Sequence, residues 1–514
     1  MVLKSKKKTG CVALISLYDT ENSAVRSLSA VLRKNDYRTL EIYFKDWVNN
    51  KLIWPTEKEI DNLIKILKEE EVTVIGVSLR ASAYFKVAKF IITKVKSVLD
   101  VIVVIGGTHP TVKPRDCLEI ADIVCVGEGE LVMLELVEKI SQGEDFKNIS
   151  NLWVKRGEII HKNEVSPLIG NLNNIPSPYF IHKDKYFIDG NRMYEKDPIL
   201  NDPIVSFSAS RGCFFSCSFC YNSALKRIYK DKGEILRYKT VDKVIAELEK
   251  IKSSFNNLKK IRFDDEVFIF NTAWMEEFCE KYKRNIDLPF ECFIYPGQYE
   301  ENVWINLHKA GLAAVNIGVE GSPNINKKLY NRIFLDKNIT NIAEIFHKLK
   351  IEVHYQIVVD DFFSDNRDMS YLFNFLINLP RPLEIYLFSL TVFPGTDLAK
   401  KLLVEGYIKD SDIEGVATKT FKQLRVDLSY PRSKEELFWV SLLILISKEF
   451  IPKILIKNFE KSLFFKENPK ILAAIAQISN VIKMIGVAFL LLVRGEINYR
   501  LMKRWINLKS MITQ

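Results

Sequence analysis

The sequence predicts an α/β protein: an N-terminal doubly wound, Rossmann-like parallel sheet, a central unit of six β/α repeats, and a C-terminal α-helical region. Three observations support this. Residues 10–140 alternate short apolar runs with amphipathic helical patterns, as parallel strands covered by helices on both faces do. The alternation resumes at Pro203 and supplies six strand candidates before residue 405. From there, and clearly after Ser433, the chain turns helical and apolar. With 514 residues the chain exceeds what one core supports. The expected divisions are 1–145, a connecting segment at 146–200, 201–405 and 406–514.

Composition narrows the function classes. Hydrophobic residues at 47% with 27% charged exclude general disorder. Eight cysteines in this length make no disulfide framework and argue for a reducing cytoplasm. The charged start, Met1 to Gly10, carries no cleavage site, so no signal peptide is read. Residues 471–493 are the best membrane-span candidate, but Gln477, Asn480 and Lys483 interrupt them. Of the net charge of +10, most lies beyond Ser433, where 13 Lys/Arg face 6 Glu. A basic apolar tail suits an anionic neighbour, and a solvated helical face explains it equally.

In the first unit the strand candidates are Cys11–Leu17, Val72–Ser78, Val101–Ile105 and Ile123–Val126. Thr56 and Glu59 open a helix as a capping box, followed by Ile60, Leu63, Ile64 and Leu67 at helical spacing. Ligands of such sheets bind beyond the strands' carboxyl ends. Those ends carry Ser78-Leu79-Arg80, Gly106-Gly107-Thr108-His109-Pro110 and Gly127-Glu128-Gly129-Glu130. Paired glycines let backbone approach a large flat ligand, although a nucleotide binder fits the fold as well. Residues 141–200 hold a hairpin-like stretch, Leu152–His161, and several prolines, and read as a connector without chemistry.

The second unit's candidates are Ile204–Ser208, Lys260–Phe263, Phe290–Ile294, Ala314–Gly318, Glu352–Val358 and Glu384–Leu390. The loop after the first contains Cys213, Cys217 and Cys220, spaced C-x3-C-x2-C. Three thiolates can bind three irons of a cubane cluster and leave the fourth open to another ligand. A structural zinc would want a fourth Cys or His nearby, and none follows before Cys279. The bland alternative is a chance trio, or a disulfide with a spare thiol. In the tail, Trp439, Leu442, Leu443 and Ile446 form one stripe, and Ile471, Ile475, Ile478, Ile482 and Ile485 another. Both suit helices closing on the second unit; a membrane-surface helix is the competing reading.

The cysteine run with Phe219 before its last member resembles the radical S-adenosylmethionine (SAM) superfamily. The resemblance implies a partial (β/α)6 barrel, a 4Fe-4S cluster on Cys213, Cys217 and Cys220, and SAM on the open iron, cleaved to a 5′-deoxyadenosyl radical. It implies SAM contacts from Phe219, Tyr221, Asp264, Asp265, Glu266 and Glu320, the last in Gly318-Val319-Glu320-Gly321-Ser322, where the family's Ser-Gly is replaced. Asn331-Arg332 matches an Asn-Lys/Arg pair, and Pro394-Gly395-Thr396 a shaping turn. Asp360 and Asp361 stand where relatives have a Gly-Pro turn, and are candidates for a base or a polar substrate contact.

The first unit resembles the cobalamin-binding domain that precedes the radical domain in cobalamin-dependent radical SAM enzymes. Ser78, Leu79, Gly106, Gly107, Thr108, His109, Gly127, Glu128 and Gly129 would bind the corrinoid. The loop Asp19-Thr20-Glu21-Asn22-Ser23 lacks the cobalt-ligating histidine of the family's usual motif, so no imidazole is expected beneath cobalt; His109 is expected to line the pocket. Together the units imply methylation of an unactivated carbon in a small, lipid-like metabolite, an electron donor such as flavodoxin or ferredoxin, and no nucleic-acid partner. The expected location is cytoplasmic, peripheral at the inner membrane face. Competing readings are a non-methylating radical cyclase or rearrangement enzyme, a tRNA methylthiotransferase with a second cluster on Cys11, Cys117 and Cys125, and a cluster- or corrinoid-based sensor.

Overall fold

The computed structural model describes residues 10–46, 52–268, 271–296, 300–332, 336–361, 363–409 and 432–493, with Asp412 and Leu428. Strands β1 (Cys11–Leu17), β2 (Thr39–Phe44), β3 (Val72–Ser78), β4 (Ile102–Gly106) and β5 (Ile123–Cys125) run parallel. Alternate residues of β1 enter opposite cores: Ala13, Ile15 and Leu17 one, Val12 and Leu14 the other. This period of two, with both faces covered, is why the strands read as continuous apolar runs.

Residues 146–200 do more than connect. They supply β6 (Leu152–Arg156) and β7 (Ile159–Lys162), antiparallel beside β5, and β8 (Lys185–Asp189) and β9 (Arg192–Glu195), beside β2. The resulting nine-stranded sheet has the order β7-β6-β5-β4-β3-β1-β2-β8-β9, so the segment covers both edges of the parallel strands and satisfies their open backbone groups. Strand β2, absent from the periodicity reading, buries Glu41. That carboxylate lies 2.9 Å from Lys185 Nζ and 3.9 Å from Arg26 Nη1. Arg26 and Lys185 share Asp197 at 2.7 and 2.9 Å, tying the later segment to the first helix.

The second sheet comprises β10 (Ile204–Phe207), β13 (Lys260–Phe263), β14 (Phe290–Ile294), β15 (Leu312–Glu320), β16 (Glu352–Val359) and β17 (Glu384–Ser389), all parallel and adjacent in chain order. The short pair β11 (Ser210–Arg211) and β12 (Arg237–Tyr238) follows β10. Curled as a half-barrel, the sheet matches the six expected strands. Helix Lys434–Ile446 is buried nearly all round, and Trp439, Leu442, Leu443 and Ile446 belong to the second unit's core. The stripe on helix Pro469–Val493 differs: Leu472 and Ala476 enter that core, while Ile471, Ile478, Ile482 and Ile485 are exposed. By length and composition, Pro469–Leu490 meets the requirement for a membrane span.

Candidate active site between the two sheets

The cysteine loop is fixed at both ends. Gly212 has φ +87°, and a Cβ there would sit 2.1 Å from the Ile235 carbonyl oxygen, so only glycine fits. Upstream, the buried Asp265 carboxylate accepts from the amides of Ala209 (3.2 Å) and Ser210 (2.6 Å) and from the Ser210 hydroxyl. Downstream, Ser218 N donates to Tyr330 O at 2.9 Å, and Lys226 Nζ donates to the carbonyls of Phe214 (2.6 Å) and Phe215 (2.9 Å). All three cysteines are unpaired, and Cys213 and Cys217 are buried.

Cys220 caps the helix Tyr221–Ile228. Burial pushes its thiol up to about 12, with Cys217 and Cys213 adding to the rise, so the three sulfurs share one neighbourhood. Among the described residues no three donors converge on a single ion. Three free thiols around one loop suit a polynuclear cluster, whose positive irons would hold them as thiolates. Arg332 Nη1 approaches Cys217 Sγ at 3.4 Å and its guanidinium lies 5.2 Å from the Tyr295 ring centroid.

The acidic candidates separate once their partners are seen. Asp264 pairs with Arg262 at 2.9 Å. Asp265 is committed to the loop, and burial raises its pKa to about 6. Glu266 opens to the cavity, hydrogen-bonds Asn222, and lies near enough to Cys213 and Cys220 to raise both. Glu320, at φ +63°, is buried facing Arg332; a Cβ on Gly318 would meet its Oε1 at 2.2 Å, which explains the glycine two positions earlier. The Tyr330 hydroxyl is buried without a hydrogen-bond partner, with its ring edge-on to Phe219 at 5.1 Å. Neither Glu320 nor Tyr330 is among the residues lining the cavity described below.

Asp360 and Asp361 both have protein partners. Asp360 receives a two-pronged ion pair from Arg432 at 2.6 and 2.7 Å, and Asp361 accepts from the amides of Phe363 and Ser364, both at 2.7 Å. Both carboxylates are engaged in holding their loop, and neither lines the cavity.

That cavity measures about 1370 Å³ and is bounded by the carboxyl ends of both sheets. It exceeds the roughly 300–1,000 Å³ of a pocket for one small ligand. Ser78, Gly106, Gly107, Thr108, Gly127, Glu128 and Gly129 line it from one side, and Phe219, Cys220, Tyr221, Asp264 and Glu266 from the other. A paired-glycine wall facing a space of this size fits a corrinoid. Gly107 (φ +115°) leaves no room for a Cβ against the Leu79 carbonyl, 2.9 Å away. Leu79 and His109 do not line the cavity: His109 turns inward, its Nδ1 2.8 Å from Ser82 Oγ and its ring against Phe85. Burial lowers its pKa to about 4. No histidine is among the described residues that line the cavity.

Sequence reasoning missed how the two halves are joined. Glu128 accepts from Arg211 (3.2 Å) and Arg237 (3.0 Å), and its amide donates to the Tyr229 hydroxyl at 2.9 Å. Glu130 also pairs with Arg211 at 2.5 Å, and Arg262 reaches Glu21 at 3.0 Å. The corrinoid-side loop is thus bonded to the strand that enters the cysteine loop. Arg211, two residues before Cys213, was the one available hint. Cys11 and Cys117 lie in one core of the first sheet and Cys125 in the other, so they do not form a second cluster site.

Comparison with known families matches residues 11–137 to the B12 binding domain and residues 207–371 to the Radical SAM superfamily. An uncharacterized methyltransferase of Pyrococcus horikoshii is 29% identical over 54% of this chain and 57% of its own length. The anaerobic magnesium-protoporphyrin IX monomethyl ester cyclase of Rubrivivax gelatinosus is 25% identical over 60% of this chain and 53% of its own. The chain thus spans little more than half the length of these curated relatives. Among solved structures, the cobalamin-dependent SAM radical enzyme OxsB, with aqua-cobalamin and SAM bound, aligns with a TM-score of 0.66 at 16% identity, over 97% of this chain and 84% of its own. The methyltransferase TsrM of Kitasatospora setae, with cobalamin and a [4Fe-4S] cluster, gives 0.60 at 14%, over 77% and 78%. The fold is shared with both.

Proposed function

We propose that this chain, which carries a B12-binding domain and a radical SAM domain and belongs with the cobalamin-dependent radical SAM proteins, transfers a methyl group to an unactivated carbon of a small-molecule substrate. The observation that carries the reading is one cavity lined at once by Cys220 and by the glycine turns of the first sheet. Bound there, a 4Fe-4S cluster, SAM and cobalamin supply a carbon-centred radical and a transferable methyl group. The chain's own work is positional. Cys213, Cys217 and Cys220 hold the cluster. Glu266, oriented by Asn222, receives the SAM ammonium by a charge-assisted hydrogen bond. The turns at 106–108 and 127–129 support the corrinoid plane, and the half-barrel walls exclude water from the radical.

A non-methylating cyclase is the second reading, favoured by the similarity to a cyclase. The methylthiotransferase reading loses its basis with the separated Cys11, Cys117 and Cys125. We further take the electron donor to be a small protein such as flavodoxin or ferredoxin, the location to be cytoplasmic and peripheral to the membrane, and the substrate to be lipid-like. The test is anaerobic reconstitution with iron and corrinoid quantified. About four irons per chain, as in one cubane, together with bound corrinoid and SAM cleavage to 5′-deoxyadenosine, are expected. Cleavage that survives replacement of all three cysteines by alanine refutes the reading. A product heavier by one CH2 indicates methylation, and an unchanged carbon count indicates the cyclase.

A further inference from the structure

Helix Pro469–Val493 has one face on the protein and another bare. Leu472, Ala476 and Ser479 are buried, and Lys483 reaches back to Glu384, so the helix is tied along the second unit as far as residue 483. On a different side Ile478, Ile482, Ile485 and Phe489, three or four residues apart, are 51–64% exposed. The short helix beside it, Leu463–Glu467, adds Leu463 (74%) and Phe464 (56%), and the helix next to that one, Lys453–Lys461, adds Ile454 (67%). A soluble monomer rarely leaves so many large apolar side chains together in water. Between residues 450 and 470 the chain carries five lysines against two glutamates, and Lys461, Lys466 and Lys470 are exposed.

We infer that this face docks the protein on the surface of an anionic lipid bilayer, with helix Pro469–Val493 lying in the interface rather than crossing it. The exposed isoleucines and phenylalanines enter the acyl boundary, and the flanking lysines meet lipid phosphates; apolar burial and basic charge together define an interfacial helix. Crossing the bilayer would strip Leu472 and Ala476 from the core and part Lys483 from Glu384, whereas lying flat keeps both. The excess of lysine selects an anionic lipid surface over a second copy of this chain, which would bring like charges together. This deepens the membrane-surface reading above, and it stands apart from the reaction because docking needs no cofactor.

Co-sedimentation of the full chain with vesicles of phosphatidylcholine alone, and with phosphatidylglycerol added, tests it. The protein is expected to partition to the anionic vesicles and to be released by salt. Ile482→Asp with Ile485→Asp, and separately Lys461→Glu, Lys466→Glu and Lys470→Glu together, should each reduce partitioning roughly ten-fold or more, because each removes one of the two contributions. These side chains are solvent-exposed, and unchanged SAM cleavage in solution shows that each variant is folded. Equal partitioning of variants and parent, no preference for anionic vesicles, or a dimer that the isoleucine substitutions dissociate would overturn the inference.

Discussion

Replacing Glu128 by alanine removes the acceptor on which the two halves of the site converge. Its carboxylate takes Arg237 Nη1 at 3.0 and 3.1 Å, Arg211 Nη1 at 3.2 Å and the Ile169 amide at 2.9 Å. Arg211 keeps Glu130. Arg237, whose side chain is only 7% exposed, is left with the carbonyls of Ile169 and Ile235. Removing one partner of a buried ion pair costs about 3–5 kcal/mol. Arg237's remaining carbonyl bonds put Glu128→Ala near the lower figure, about 3 kcal/mol. Arg237→Leu should cost a similar amount, and the double variant should recover about 1–3 kcal/mol of the sum as coupling. Urea denaturation of the four proteins of this cycle, followed by tryptophan fluorescence, measures it. A loss under about 1 kcal/mol, or strict additivity, refutes the claim that Glu128 clamps the corrinoid-side loop to the strand entering the cysteine loop.

Glu266→Gln should weaken SAM binding about 10- to 100-fold, the worth of one charge-assisted hydrogen bond at about 1.5–3 kcal/mol, with iron content unchanged; equilibrium dialysis with SAM reads it. Arg332→Gln removes a positive charge 3.4 Å from Cys217 Sγ. The cluster's midpoint should fall by about 60 mV for a loss of about 1.4 kcal/mol, seen by EPR-monitored titration. Asp360→Asn should lower stability by about 3 kcal/mol, because it leaves Arg432 buried with a weakened partner. The folded fraction should cleave SAM at the parental rate. Burial holds His109 near 4 rather than 6.5, so the neutral ring favours the folded state above pH 6.5. That contribution, about 3 kcal/mol at most, is lost as pH falls from 6.5 towards 4. Thermal melts across this range should flatten in His109→Leu.

The parts of the fold that periodicity encodes were readable from the sequence. The six strands of the second sheet and four of the first announce themselves as apolar runs between amphipathic helices. Strand β2 does not, because its Glu41 is buried against Lys185, a partner contributed by a segment more than 140 positions later. The same ion network hides β8, whose Lys185 looks like a surface residue until Glu41 and Asp197 surround it. Buried charge breaks a hydrophobic pattern, and its compensation is long-range.

The site divides along the same line. Cysteine spacing and glycine turns are constraints within a few residues, so the trio at 213–220 and the turns at 106–108 and 127–129 can be read directly. The role of a carboxylate depends on what faces it. Asp265 and Glu266 are sequence neighbours, yet one is spent on the amides of Ala209 and Ser210 while the other opens beside Cys213 and Cys220. Asp360 is held by Arg432, seventy-two positions away, and by the Ser389 hydroxyl. Of the acidic residues at the strand ends, Glu266 therefore combines exposure to the cavity, proximity to the cysteine loop, and an amide rather than an ion-paired cation as its hydrogen-bond partner. A cationic ligand entering the cavity would meet its complementary charge there, beside the cysteine loop.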